Sequence, residues 1–305
     1  MRTVATGLFL LLVAAAACSK NSDPTTVGYW EAQLKSKRTR VEALRELGKL
    51  GKKEAVPVIL PYLAEEGPWQ AEAANALGLL GDPSAVPALI EHIDYEAQPK
   101  ADDEKATNHV RTNLGIIHAL VMLRADSARA PLVKLLKNPE PKTREANIAA
   151  LGQLGAKEAV PTLLGMLATE KQVVLAAAAV KSLGQLGTGD PQVAATLVKY
   201  LYDDTLYDSV RYALVELGPG AVPKLVESLG RHNPDVEALR TADGKPLPEG
   251  SIEARAAAVL GATHAASAEA PVVEAFERLS KRLGAKPKEA PPSLRPALVE
   301  LVYAL

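Results

Sequence analysis

Cysteine occurs once in the 305 residues, phenylalanine twice and tryptophan twice, and neither sign of charge is in excess. The single cysteine, Cys18, excludes an intramolecular disulfide and any cysteine-built metal site. With 35 Lys+Arg against 36 Asp+Glu the formal net charge is −1, which argues against holding polyanions by bulk charge, so no nucleic-acid partner is expected. Aromatic residues make up 4% of the chain, too few for one large core packed around rings. The apolar 48% consists chiefly of Ala, Leu and Val, the composition of closely spaced helices rather than of sheets. At 23% charged residues the chain is neither a disordered tail nor a polytopic membrane protein. It reads as a folded helical body.

Long hydrophobic runs are also missing. Arg2 precedes a charge-free stretch from Gly7 to Ala17, eleven residues, where a spanning helix needs ~20. A basic start, a short apolar run and small residues before a cut mark residues 1–17 as a secretory signal peptide. The run ends in Ala14-Ala15-Ala16-Ala17-Cys18, and this segment resembles the lipobox of bacterial lipoproteins. That resemblance implies lipidation at Cys18 and a membrane contact through the lipid anchor, since two or more acyl chains hold a protein stably. Ser19 rather than Asp follows, which by the same resemblance implies an outer-membrane lipoprotein on the periplasmic side of the cell envelope. The lipobox position three before the cysteine is most often Leu and is Ala15 here, so cleavage by the ordinary signal peptidase stays open. Residues 18–26 are polar and rich in helix breakers, the pattern of a flexible tether.

Beyond the tether one unit repeats. Leu47-Gly48-Lys49-Leu50-Gly51 recurs as Leu77-Gly78-Leu79-Leu80-Gly81, Leu151-Gly152-Gln153-Leu154-Gly155 and Leu183-Gly184-Gln185-Leu186-Gly187. Degenerate copies at Leu120, Leu214 and Leu260 bring the anchors to seven, at a basic period of about 31 residues. Ala-Val-Pro follows most copies, at Pro57, Pro87, Pro161 and Pro223, and then comes a second apolar pattern. Each unit is therefore expected to be two helices, the second Gly a left-handed C-terminal stop and the Pro the opening of the next helix. The first Gly is inside a helix, where it costs ~1 kcal/mol relative to Ala. Close approach of a neighbouring helix would offset that cost. One pair cannot bury its apolar face alone, so the units must stack.

These motifs resemble HEAT repeats, and among them the phycobilisome-lyase HEAT-like class. The resemblance implies an all-α, right-handed α-solenoid of the HEAT/armadillo-like kind over residues 27–284, about seven repeats plus terminal caps. Tyr29 to Leu34 is the expected N-terminal half-unit, and 285–305 a linker and capping helix. Two spacings break the period and add residues on the same edge, at 94–108 and 231–250. The second contains Asp243-Gly244 between prolines, the signal of a tight turn or small hairpin.

Chemistry is hard to find. In the repeat register His92 occupies a half-buried packing position, His264 a helix-end position and His118 a solvated face. His109 and His232 lie at the insertions, the only setting with functional promise. The His-Glu dipeptides by which deoxyhypusine hydroxylases are recognised are absent, and so are a phosphate loop and a serine-nucleophile motif. The expectation is a non-catalytic scaffold with no cofactor and no metal. The alternative is an enzyme or enzyme subunit, lyase-like or metal-dependent, with a site completed by the two insertions and carried by Asp102, Asp103 and His109.

For the scaffold, the resemblance implies that second helices line a concave face. Its outward positions then carry five acidic residues (Glu65, Glu91, Asp203, Glu227, Glu274) and five basic ones (Lys134, Lys199, Lys224, Arg231, Arg278). Asn138 is expected to face outward as well, and Thr162, Gly165 and Thr169 leave a bare stretch. The expected contacts to a protein or peptide partner are Tyr95, Lys134, Thr162, Lys199, Tyr202, Asp203, Tyr207 and Arg231, with Tyr202 and Tyr207 the accessible members of a tyrosine cluster.

Overall fold

The computed structural model describes residues 22–100, 102–285 and 288–305. The expected signal peptide and Cys18 lie outside the described residues. The described chain forms two compact units, the first up to Leu154 and the second from Gly155 onward. Among the described residues the only extended pairings are the single bridges Lys100 to Asp103 and Arg240 to Pro246.

The first unit contains α1 (Val27–Leu34), α2 (Arg40–Leu50), α3 (Val56–Ala64), α4 (Gln70–Leu80), α5 (Val86–Glu91), α6 (Glu104–Met122), α7 (Arg129–Leu135) and α8 (Pro141–Gln153). The second contains α9 (Val160–Thr169), α10 (Val173–Leu186), α11 (Pro191–Tyr200), α12 (Tyr207–Leu217), α13 (Val222–Leu229), α14 (Pro234–Glu237), α15 (Ser251–Thr263), α16 (Glu269–Ala285) and α17 (Leu294–Tyr303). Helices pair and stack as the period requires: in the first unit α2 packs on α4, α4 on α6 and α6 on α8, and in the second α10 packs on α12 and α15 on α17. The described residues form an all-α solenoid, and α14 lies inside the second insertion.

The anchor leucines explain the stacking. Leu47, Leu77, Leu120, Leu151, Leu183 and Leu214 are fully buried and Leu260 nearly so, each burial worth roughly 1.5–3 kcal/mol. The first glycine of the motif lies where helices touch backbone to backbone. A Cβ on Gly78 would stand 2.7 Å from Cα of Ala119, and one on Gly184 2.9 Å from Cα of Ala213. Close approach is thus the reason for an interior glycine that helix propensity disfavours.

The second glycine behaves as expected at Gly51 and Gly81, with φ near +65°, but not at Gly187. There φ is −86°, and the left-handed step moves to Gly189. Gly187 is required instead for space, because its Cβ would meet Val193 Cγ1 at 2.5 Å. His264 takes the left-handed helix-end position, φ 50°, that its register assigned.

Two stretches are more ordered than their composition implies. The last residues of the tether form a turn: Asp23 Oδ1 accepts from Thr25 N and Oγ1, Thr26 caps α1, and Trp30 Nε1 donates to Pro24 O. The first insertion is partly helical, since α6 begins at Glu104 and runs for 19 residues. Asp103 caps it by accepting from Ala106 N at 3.0 Å. In the second insertion the tight turn is present. Thr241 N donates to Lys245 O and Gly244 has φ +79°.

Candidate functional site

In the first unit, two of the expected contact residues come together. Lys134 Nζ lies over the Tyr95 ring, 4.1 Å from its centroid, a cation–π contact. Asn138 does not face outward. It is 1% exposed and donates through Nδ2 to Tyr95 O and Asp94 O. The insertion bends back over this position, and Asn138 supplies the hydrogen bond that Tyr95 O accepts.

In the second unit the tyrosine cluster resolves differently from the expectation. Tyr202 turns inward, half-buried, and its hydroxyl donates to Ile252 O at 3.2 Å. Burial raises its pKa well above the usual tyrosine range, so the hydroxyl stays protonated. The repeat register could not place it, because Tyr202 follows the end of α11 and its direction is set by α15. Tyr207 is half-buried under the Arg255 guanidinium, 4.8 Å from the ring centroid. The Asp203 carboxylate accepts from Thr205 N and Oγ1 and so closes the turn before α12. Lys199 and Arg231 are exposed, and Arg231 itself sits at φ 63°.

Thr162 is half-buried on α9, one turn before Gly165. Between α9 and the start of α11 lies an open recess of about 770 Å³, with Gly165 and Thr196 on opposite walls and Lys157 and Asp190 at its polar edge. Its width follows from small side chains. A Cβ at Gly165 would touch nothing within 4 Å. Asp190 holds the start of α11 by accepting from Gln192 N and Val193 N.

The first insertion builds a second polar centre in the first unit. Asp94 Oδ2 lies 2.7 Å from His109 Nδ1, and Oδ1 accepts from Glu96 N. Asn113, 1% exposed, accepts from Asp94 N at 3.0 Å and donates to Asp94 O at 2.6 Å. Asp102 and Asp103 do not join this centre: Asp103 serves the helix cap, and Asp102 is exposed at φ 61°. No three Asp, Glu, His or Cys side chains gather to hold a metal ion among the described residues.

One device escaped sequence reasoning. Seven positions before the first four anchor leucines stand Arg40, Gln70, Asn113 and Arg144. Each donates to a carbonyl at or just beyond the end of the preceding helix, respectively Leu34 O, Leu63 O, Asp94 O and Asn138 O. Leu34 O and Leu63 O are acceptors that a helix end leaves unpaired, and Asp94 O and Asn138 O lie three residues past the ends of α5 and α7. The polar residues recur in register, a signal that the apolar pattern overshadowed. In the second unit the same register holds Ala176, Tyr207 and Glu253. Glu253 is buried, accepts from Arg278 through Oε1 at 3.1 Å, and leaves Oε2 without a partner.

The pattern of HEAT repeats matches residues 30–102, 108–180 and 129–218. No curated protein matches the chain. Among solved structures the chain is similar to the complex of CpcE and CpcF of phycocyanin lyase from Nostoc sp. PCC7120, with 25% identity, a TM-score of 0.44, and coverage of 83% of this chain and 92% of that one. It is also similar to human deoxyhypusine hydroxylase in complex with glycerol, with 17% identity, a TM-score of 0.36, and coverage of 95% and 98%.

Proposed function

Because this chain belongs to the HEAT-repeat family, we propose that it is an exported, lipid-anchored scaffold that holds a protein or peptide partner in the α9–α11 recess of its second unit. The observation that carries the reading is the unfilled space above Gly165 in an otherwise close-packed stack. A glycine with room for a side chain gives up helix stability for nothing unless something else uses the room. Lys157 and Asp190 supply one charge of each sign at the edge, which suits a mixed-sequence segment rather than a polyanion.

Gly165→Trp tests it. The indole enters open space, so the unfolding temperature is expected to hold, while a photocrosslinker placed at Lys199 should lose its discrete crosslinked product in cells. A product of unchanged intensity would refute the recess as the docking site.

The anchor is the second part of the proposal. The lone cysteine follows the small residues that end the leader, where an acylated N-terminus would form. We place the body at the periplasmic side of the envelope, on the outer membrane. Cys18→Ala is expected to move the protein from the membrane to the soluble fraction. Membrane association that survives the substitution would overturn lipidation.

A further inference from the structure

The last seam of the second unit has the geometry of the inner ones. A Cβ on Gly261 of α15 would stand 2.8 Å from Cα of Ala304, just past α17, much as one on Gly78 would meet Ala119 and one on Gly184 would meet Ala213. α17 therefore sits in the register of a repeat's first helix. Two positions before the seam residue, inner first helices carry Ala74, Ile117, Ile148 and Val180, all buried; Arg211 is the exception. The equivalent residue of α17, Val302, is 56% exposed, and Val299 and Tyr303 beside it are exposed as well. Standing at i, i+3 and i+4, the three share one side of the helix. α17 packs on α15 and α16, and nothing covers this side among the described residues. A repeat stack stays soluble by ending on a polar face, and this one is apolar.

Charge decides what can cover it. A head-to-tail neighbour would bring the seam position of α2 against α17. Where other seams place alanine, α2 carries Glu46, ion-paired with Lys49 Nζ at 2.6 Å. Burying that pair against valines would strip its water and supply no new partner. The side of α17 is instead complementary to itself. Arg295, Val299 and Tyr303 follow one another at four-residue steps, all exposed. If two copies pair antiparallel about a twofold axis at Val299, Arg295 of each meets the partner's Tyr303, Pro296 meets the partner's Val302, and Val299 meets itself. Arginine over tyrosine is a contact that this chain also makes internally, Arg211 over Tyr212 at 4.7 Å and Arg255 over Tyr207 at 4.8 Å. The two Arg295 positions stand about 12 Å apart along the axis, beyond the screening length of physiological salt. Each helix N-terminus also lies beside the partner's C-terminus, so the dipoles oppose favourably.

We propose that this side of α17 is the interface of a symmetric homodimer, centred on Val299 and closed by Arg295 on the partner's Tyr303. The ten residues of α17 span about 15 Å, and their face falls well below the roughly 800 Å² per partner of a standard interface. The dimer is accordingly weak, with Kd near about 100 µM. No residue of the α9–α11 recess takes part, so the two proposals stand or fall separately.

Disulfide trapping in the full chain carrying Cys18→Ala tests the pairing. On the twofold axis the two Cβ atoms come within disulfide reach, so Val299→Cys should form a covalent dimer under mild oxidation. Val174→Cys, at a site as exposed but away from α17, should form it at least about tenfold more slowly. Arg295→Cys and Tyr303→Cys should each link poorly alone and readily when mixed. Sedimentation equilibrium of the Cys18→Ala chain should show a reversible dimer that Val299→Asp and Val302→Asp each weaken about tenfold or more, since each buries an unpaired charge. Both sites are exposed in the single chain, and circular dichroism of every variant checks that the fold is kept. A monomer at every concentration would overturn the proposal, as would equal trapping at Val174→Cys and Val299→Cys. A mixed disulfide between Glu46→Cys and Val302→Cys would assign the face to head-to-tail stacking. Flotation of a monomeric chain with phosphatidylglycerol vesicles, lost in Val302→Asp, would assign it to a lipid surface. Either outcome would also overturn the symmetric dimer.

Discussion

Gly78→Val is expected to be the most damaging single substitution in the helix stack, at about 3 kcal/mol, the upper end of the usual range for overpacking. The new Cβ would lie 2.7 Å from Cα and 3.0 Å from Cβ of Ala119. Neither atom can rotate away, so α4 and α6 must separate along the seam that holds their repeats together. In a solenoid each repeat has only its neighbours, and a weakened seam uncouples both sides. Gly78→Ala makes the sign decisive. Helix propensity alone predicts a gain of ~1 kcal/mol, whereas the contact predicts a loss. Urea unfolding followed at 222 nm would decide it, and a neutral or stabilised Gly78→Ala would sink the close-approach explanation.

Asn113→Ala is expected to cost about 2–3 kcal/mol, from a buried amide that satisfies both backbone groups of one residue. Its removal leaves Asp94 N–H without its hydrogen-bond acceptor and Asp94 O with the longer bonds from Asn138, 3.3 Å, and Ala97 N, 3.4 Å. Asp94 is also the residue whose carboxylate lies 2.7 Å from His109 Nδ1, so the same substitution should loosen that contact. The conservative Asn113→Asp keeps the acceptor and loses the donor, and should fall between the two. Thermal unfolding reads the loss. An Asn113→Ala protein of unchanged stability would show that the insertion is held by something other than this amide.

Much of this architecture is visible in the chain before it folds. Leu47, Leu77 and their equivalents recur at a period that only helix pairs satisfy, and Pro57 or Pro161 marks where each second helix opens. These are local facts: helical spacing, a proline without an N–H, a glycine free to adopt positive φ at Gly51 and Gly81. The scarcity of aromatics has the same origin, since helices that approach as closely as Gly78 and Ala119 leave no room for rings between them.

The candidate sites divide along the same line. Gly165 could be placed on a second helix from register alone, and the recess beside it has Gly165 in its lining. Asn138 and Tyr202 could not be placed, because each sits just past a helix end where direction depends on what packs against it. The insertion carbonyls drew Asn138 inward, and α15 drew Tyr202.

By itself the sequence determined the repeat, the helix pairs and the neutral charge balance, because each depends on residue type or on residue type at short spacing. Tertiary structure alone decided that Asp94, His92, His109 and Glu66 meet around one cavity. They come from three different repeats and an insertion, and only the stacking distance between helices, set by glycine and alanine at the seams, brings them to the lining of one cavity.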